Sequence, residues 1–221
     1  MRVLNYFSSS ARAGTLGSLI IASLCLGGCA GTGGIENASG VPASTVDPSV
    51  RGPVEGLGIE GHDIISMTDQ MLRDMLADSN LAGRNRAPRV IIDAKYFVND
   101  SSQPIDKNSI TDRLMVQLNR AAHGRMIFVG RNYAGMVEHE RELKRNGVTD
   151  IGTTGLTKAQ LGADFRLGGR ITSLDSRDTK SGMEQRYTQI TFEMVDLESG
   201  EIVWSGIYEF SRVGADDVVY R

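Results

Sequence analysis

The chain reads as an α+β protein: a mixed, mostly antiparallel β-sheet flanked by helices, forming a single domain on a disordered tether. Three observations lead there. Apolar residues recur at helical spacing early in the folded region, from Ile64 to Leu76 and again from Ile110 to Ala121. Later the spacing becomes strict alternation, with Ile190, Phe192 and Met194 set between Gln189, Thr191 and Glu193, the period of a half-buried strand. Ahead of both, Ala30 to Gly58 holds seven Gly, three of the chain's five Pro and no aromatic residue, too little apolar surface to offset its ordering entropy.

The first 28 residues carry Arg2 and Arg12, no acidic residue, and an apolar run from Thr15 to Gly28, the layout of a signal peptide. A spanning helix needs about 20 apolar residues, so this run is too short to remain in a membrane. It ends in Leu26-Gly27-Gly28-Cys29, which resembles the lipobox of bacterial lipoproteins. That resemblance implies cleavage before Cys29, acylation of its thiol and amine, and lasting membrane attachment, since each buried methylene adds about 0.8 kcal/mol. Ala30 follows the cysteine where many inner-membrane lipoproteins carry aspartate, which favours the outer membrane.

Removing 28 of the 221 residues leaves 193 and takes Cys25 away, so an acylated Cys29 leaves no thiol for a disulfide. Loss of the two arginines moves the formal charge from −3 to −5. An acidic chain without a clustered basic face argues against nucleic acid. The tether, residues 29–58, spans about 100 Å if fully extended but about 30 Å as a flexible coil.

The globular part, residues 59–221, is of a size that normally makes one domain. A helix from about 63 to 78 buries Met67, Met71 and Met75 on one face, read as core packing in preference to metal binding. Pro88 opens a strand of about nine residues ending near Val98, and Asp106 or Asn108 caps a second helix that Gly124 ends. Met126 to Val129 is a short buried strand; a charged helix follows from about 132 to 145 and stops at Asn146-Gly147. A brief helix near 157 to 162 precedes a strand from 164 to 174. Asp196 to Gly200 then turns the alternating strand back into its partner, Ile202 to Phe210.

Gly56-Leu57-Gly58-Ile59-Glu60-Gly61 satisfies G-x-G-x-x-G, but no strand precedes it, and the motif works only between a strand and its helix. It reads as a flexible junction, with no nucleotide expected. His62, His123 and His139 are too far apart for a metal site, and His139-Glu140-Arg141-Glu142 lacks the second histidine of a zinc protease. Neither a catalytic set nor a cofactor site is indicated, so the chain reads as a non-enzyme.

Val54-Glu55-Gly56-Leu57-Gly58-Ile59-Glu60, then Asp63-Ile64 and Met71 to Leu76, resembles the start of the LpoB family's domain. Leu161 to Phe165 and Ser199 to Gly206 resemble its later strands, in a pattern shared with CsgG-like and TolB amino-terminal-like domains. The resemblance implies a TolB amino-terminal-like fold and an outer-membrane lipoprotein that faces the periplasm. It also implies docking on a class A penicillin-binding protein and stimulation of peptidoglycan synthesis, with effects on cell shape. The alternative is a structural or secretion-related envelope lipoprotein of the CsgG-like kind.

For partner contact the sequence offers one strand face. Arg166 and Arg170 alternate to the same side with Gly168 between them, while Phe165, Leu167 and Ile171 take the other. Both arginines are expected exposed, each able to grip a carboxylate. Arg177 and Lys180, in a loop from Asp175 to Gly182, extend that surface.

Overall fold

The computed structural model describes residues 42–220. The expected signal peptide and Cys29 fall outside that range. The fold belongs to the unit that begins at Thr45. Gly61–Ala77 forms α1. Its start is fixed by Asp63, whose carboxylate accepts the Glu60 backbone N–H at 2.8 Å and so satisfies a donor that the first turn leaves open. Met67, Met71 and Met75 fall four apart on one face and are fully buried; burying each contributes about 2 kcal/mol. Lys107–Ala121 forms α2, capped by Asp106 through the Asn108 N–H. It buries Ile110, Leu114 and Leu118, and it ends where His123 and Gly124 turn to positive φ.

The sheet has six strands. Arg89–Ile91 is β1, Phe97–Asp100 is β2, Ile127–Phe128 is β3, and three 13-residue strands follow: β4 Phe165–Arg177, β5 Glu184–Asp196 and β6 Ile202–Gly214. β3, β1 and β4 run parallel, β4 to β6 form an antiparallel meander, and β2 pairs parallel with β4 further along. One hydrophobic core joins α1 and α2 to Phe165, Leu167, Ile171, Ile190, Phe192, Met194 and Trp204. Both helices therefore cover the same face of the long strands. The opposite face carries Arg170, Ile207 and Val213, all exposed. Ala134–Arg145 forms α3, which buries no residue.

Four elements depart from their sequence reading. The nine-residue strand is broken in two, because the Asp93 carboxylate accepts the Lys95 N–H at 3.1 Å and folds Ala94–Tyr96 into a 3-10 turn. Both halves still pair with β4. The expected helix near 157 to 162 is irregular, because Arg141 and Arg145 from α3 take the Thr157 carbonyl at 3.0 and 2.9 Å. The short strand near 127 lies at the sheet edge, so Met126 is buried while Ile127 is exposed. Lastly, β4 extends through Arg177, and the connecting turn begins only at Asp178, whose carboxylate accepts the Lys180 N–H and the Ser181 hydroxyl.

The junction read as flexible is pinned from three sides. Gly58 N–H donates to the Tyr220 hydroxyl at 3.1 Å, Ile59 N–H to Gln103 Oε1 at 2.9 Å, and Gly56 N–H to Glu60 Oε1 at 3.2 Å. Leu57 is only 3% exposed.

Candidate functional site

Alternation along β4 places Arg166, Gly168 and Arg170 on the face away from the helices, as the sequence predicts. They line a shallow groove of about 530 Å³ with Tyr96, Glu193 and Leu197. Its floor exists because of two local choices. Residue 168 has no side chain, and a Cβ there would sit 3.5 Å from the Tyr96 carbonyl. The 3-10 turn between β1 and β2 meanwhile lifts Tyr96 beside it, over half exposed. Val98 and Leu197, both exposed, add apolar rim.

The two arginines are not equivalent, and the expectation that both are exposed is corrected. The Arg166 side chain is only 14% exposed. One of its terminal nitrogens donates to both Asp93 carboxylate oxygens at 2.6 and 2.8 Å, and its guanidinium stacks 4.6 Å from the centre of the Tyr96 ring. It is therefore a support for Tyr96, held between a carboxylate and an aromatic face. Arg170 is 60% exposed and paired with Asp100 at 2.6 Å. That exposed pair is worth about 0–1 kcal/mol, so another carboxylate can displace Asp100 at little cost.

Arg177 is not brought to the groove. It lies about 23 Å further along the strand, and its odd position turns it to the other face, where it meets Glu184 at 3.4 Å. Lys180 sits in the turn beyond. Sequence reasoning missed Tyr96, Asp93 and Asp100. Their signal was the Asx turn hidden in Asp93-Ala94-Lys95, which decides that the strand breaks and Tyr96 projects.

A second concentration of polar groups surrounds the glycine-rich junction, and its chemistry is structural. A pyrophosphate would need the backbone N–H groups of this loop, but Gly56, Gly58 and Ile59 have already committed theirs. The glycines serve close packing: a Cβ on Gly56 would lie 2.5 Å from the Tyr220 hydroxyl, and one on Gly58 would overlap the Gln103 amide. Tyr220 donates to Glu60 at 2.5 Å. Burial, reinforced by that carboxylate, pushes the Tyr220 hydroxyl up to about 12. His139 and Glu140 lie exposed on α3, a solvated helix face.

A family model described as "Peptidoglycan-synthase activator LpoB" matches residues 63–210. Among solved structures, the chain is similar to the LpoB C-terminal domain from Salmonella enterica, with 15% identity over 65% of this chain and 94% of that one and a TM-score of 0.38. It is also similar to lipoprotein GNA1162 from Neisseria meningitidis, with 18% identity over 57% of this chain and 83% of that one and a TM-score of 0.28. No curated protein matches the chain.

Proposed function

Because this chain belongs to the LpoB family of peptidoglycan-synthase activators, we propose that it binds a class A penicillin-binding protein and stimulates its glycan polymerisation without itself catalysing a reaction. The observation that carries this reading is the extent of the family match, which runs from the first turn of α1 into β6 and so takes in every strand that lines the groove.

In this reading Cys29, acylated after signal cleavage, holds the protein on the periplasmic side of the outer membrane. The tether, shorter than residues 29–58 because Gly56 to Gly58 are held against the domain, lets the domain reach the synthase through the cell wall. No helix among the described residues is long and apolar enough to cross a membrane, and an acyl anchor requires none.

The groove on the open sheet face supplies the contact. Tyr96, Val98 and Leu197 give it an exposed apolar rim, Gly168 gives close backbone approach, and Arg170 offers a guanidinium whose present partner is easily exchanged. An aromatic and an arginine lining one groove are the residue types that most often anchor protein interfaces. Arg166 acts indirectly, by holding Tyr96.

Affinity capture tests the reading. With the mature chain as bait in detergent-solubilised envelope, a class A penicillin-binding protein is expected in the eluate, in reduced amount for Arg170→Ala and Tyr96→Ala. An eluate without any such synthase overturns it.

A further inference from the structure

A second concavity lies where the parallel part of the sheet ends, and its charge runs against that of the whole chain. β1 has parallel neighbours on both sides, β3 and β4. The chain passes from β1 through β2 and α2 to β3 on one side, and then through α3 to β4 on the other. A crevice opens there, beyond the carboxyl ends of β1 and β3 and beside the amino end of β4. Here the open crevice measures about 550 Å³.

Its cations come from four separate segments. Lys95 follows β1, Arg131 follows β3, Lys107 opens α2 and Arg166 projects from β4. Two carboxylates share the wall, Asp93 and Asp112. Asp93 is spent on Arg166 at 2.6 Å. Among the described residues, Lys95, Lys107, Arg131 and Asp112 form no salt bridge, so four cations face two anions and leave a surplus of two positive charges in a chain whose formal charge is −3. The wall is partly pre-set: Arg131 donates to the Leu161 carbonyl at 3.2 Å, and Arg166 keeps its buried Nε without a partner.

Uncompensated like charges around one cavity repel each other, and a bound anion relieves that repulsion. The distribution selects the kind of anion. A carboxylate is gripped by one planar fork. Two lysines and two arginines lining one cavity from four segments suit instead a tetrahedral group with acceptor oxygens on several sides. A surplus of two charges matches a dianion.

We propose that this crevice binds a phosphate or pyrophosphate group, either free or esterified to a lipid, and that it is a ligand site distinct from the docking groove, sharing with it only the Arg166 side chain. The Cys29→Ala chain, without its acyl anchor, is titrated calorimetrically with inorganic pyrophosphate. It is also sedimented with phosphatidylcholine vesicles with and without phosphatidic acid. Saturable binding that falls with added salt is expected for at least one probe. Binding to pyrophosphate identifies a soluble ligand, and binding to phosphatidic acid alone identifies a lipid-borne one.

Lys107→Gln/Arg131→Gln is expected to weaken binding about tenfold or more, and Lys95→Gln, whose side chain is exposed and bears on no core contact, to weaken it in the same direction. Lys158→Gln, an exposed cation elsewhere, leaves it unchanged. The proposal is overturned if neither probe binds, if binding survives intact in both Lys95→Gln and the double variant, or if an oligo-glutamate peptide outcompetes the phosphate probe.

Discussion

Arg212, near the end of β6, donates from one terminal nitrogen to both carboxylate oxygens of Asp63 at 2.8 Å, tying the last strand to the first turn of α1. Asp63 is 4% exposed and also caps the Glu60 N–H. Arg212 in addition donates to the Gly58 carbonyl and faces His62 Nε2 at 3.1 Å. One pair therefore holds the helix start, the junction and the sheet edge. Removing one partner leaves a buried charge unmatched, so Arg212→Ala is expected to lower unfolding free energy by about 3 kcal/mol, read from urea denaturation. A loss below about 1 kcal/mol would show that solvent replaces the pair.

Tyr220 closes the same junction, and its ionisation gives the contact a pH limit. Its folded value near 12 stands above the ordinary tyrosine value of about 10. A raised value favours the neutral form in the folded state, so its stabilisation is complete below about pH 10 and disappears as pH rises toward 12. Wild type is expected to lose stability more steeply than Tyr220→Phe between about pH 10 and 12. Parallel pH profiles would remove Tyr220 from the junction.

How far the sequence reveals this structure follows from the range over which each element is decided. α1, α2 and the β5–β6 hairpin rest on local periodicity, and Met67, Met71, Met75, Ile190 and Phe192 lie in the core as their spacing requires. The face shared by Arg166, Gly168 and Arg170 was legible for the same reason. What was hidden depends on contacts distant in sequence. Gly58 meets Tyr220 and Ile59 meets Gln103 across 162 and 44 positions, so a junction rich in glycine looked loose while it was tightly held. Arg166 looked exposed because its partner, Asp93, lies 73 positions away.

Separate replacement of the groove arginines tests their different roles. Arg166→Ala strands a half-buried Asp93 and removes the support under Tyr96, so it is expected to cost about 1–2 kcal/mol of stability as well as partner affinity. Arg170→Ala breaks only an exposed pair. Its stability should change by less than about 1 kcal/mol, while capture of the synthase weakens by about 2 kcal/mol. Equal effects of the two on denaturation midpoints would contradict the assignment.

The proposed membrane anchor rests on one residue, Cys29. Cys29→Ala is expected to move the protein from the membrane fraction to the periplasmic fraction on cell fractionation. A variant that still floats with outer-membrane vesicles contradicts the acyl anchor.

Activation of a synthase is read from the rate of glycan polymerisation by a purified class A penicillin-binding protein, measured with and without the mature chain. A saturable rate increase is expected, shifted to higher concentration for Arg170→Ala. An unchanged rate at concentrations where the two proteins demonstrably form a complex would contradict it.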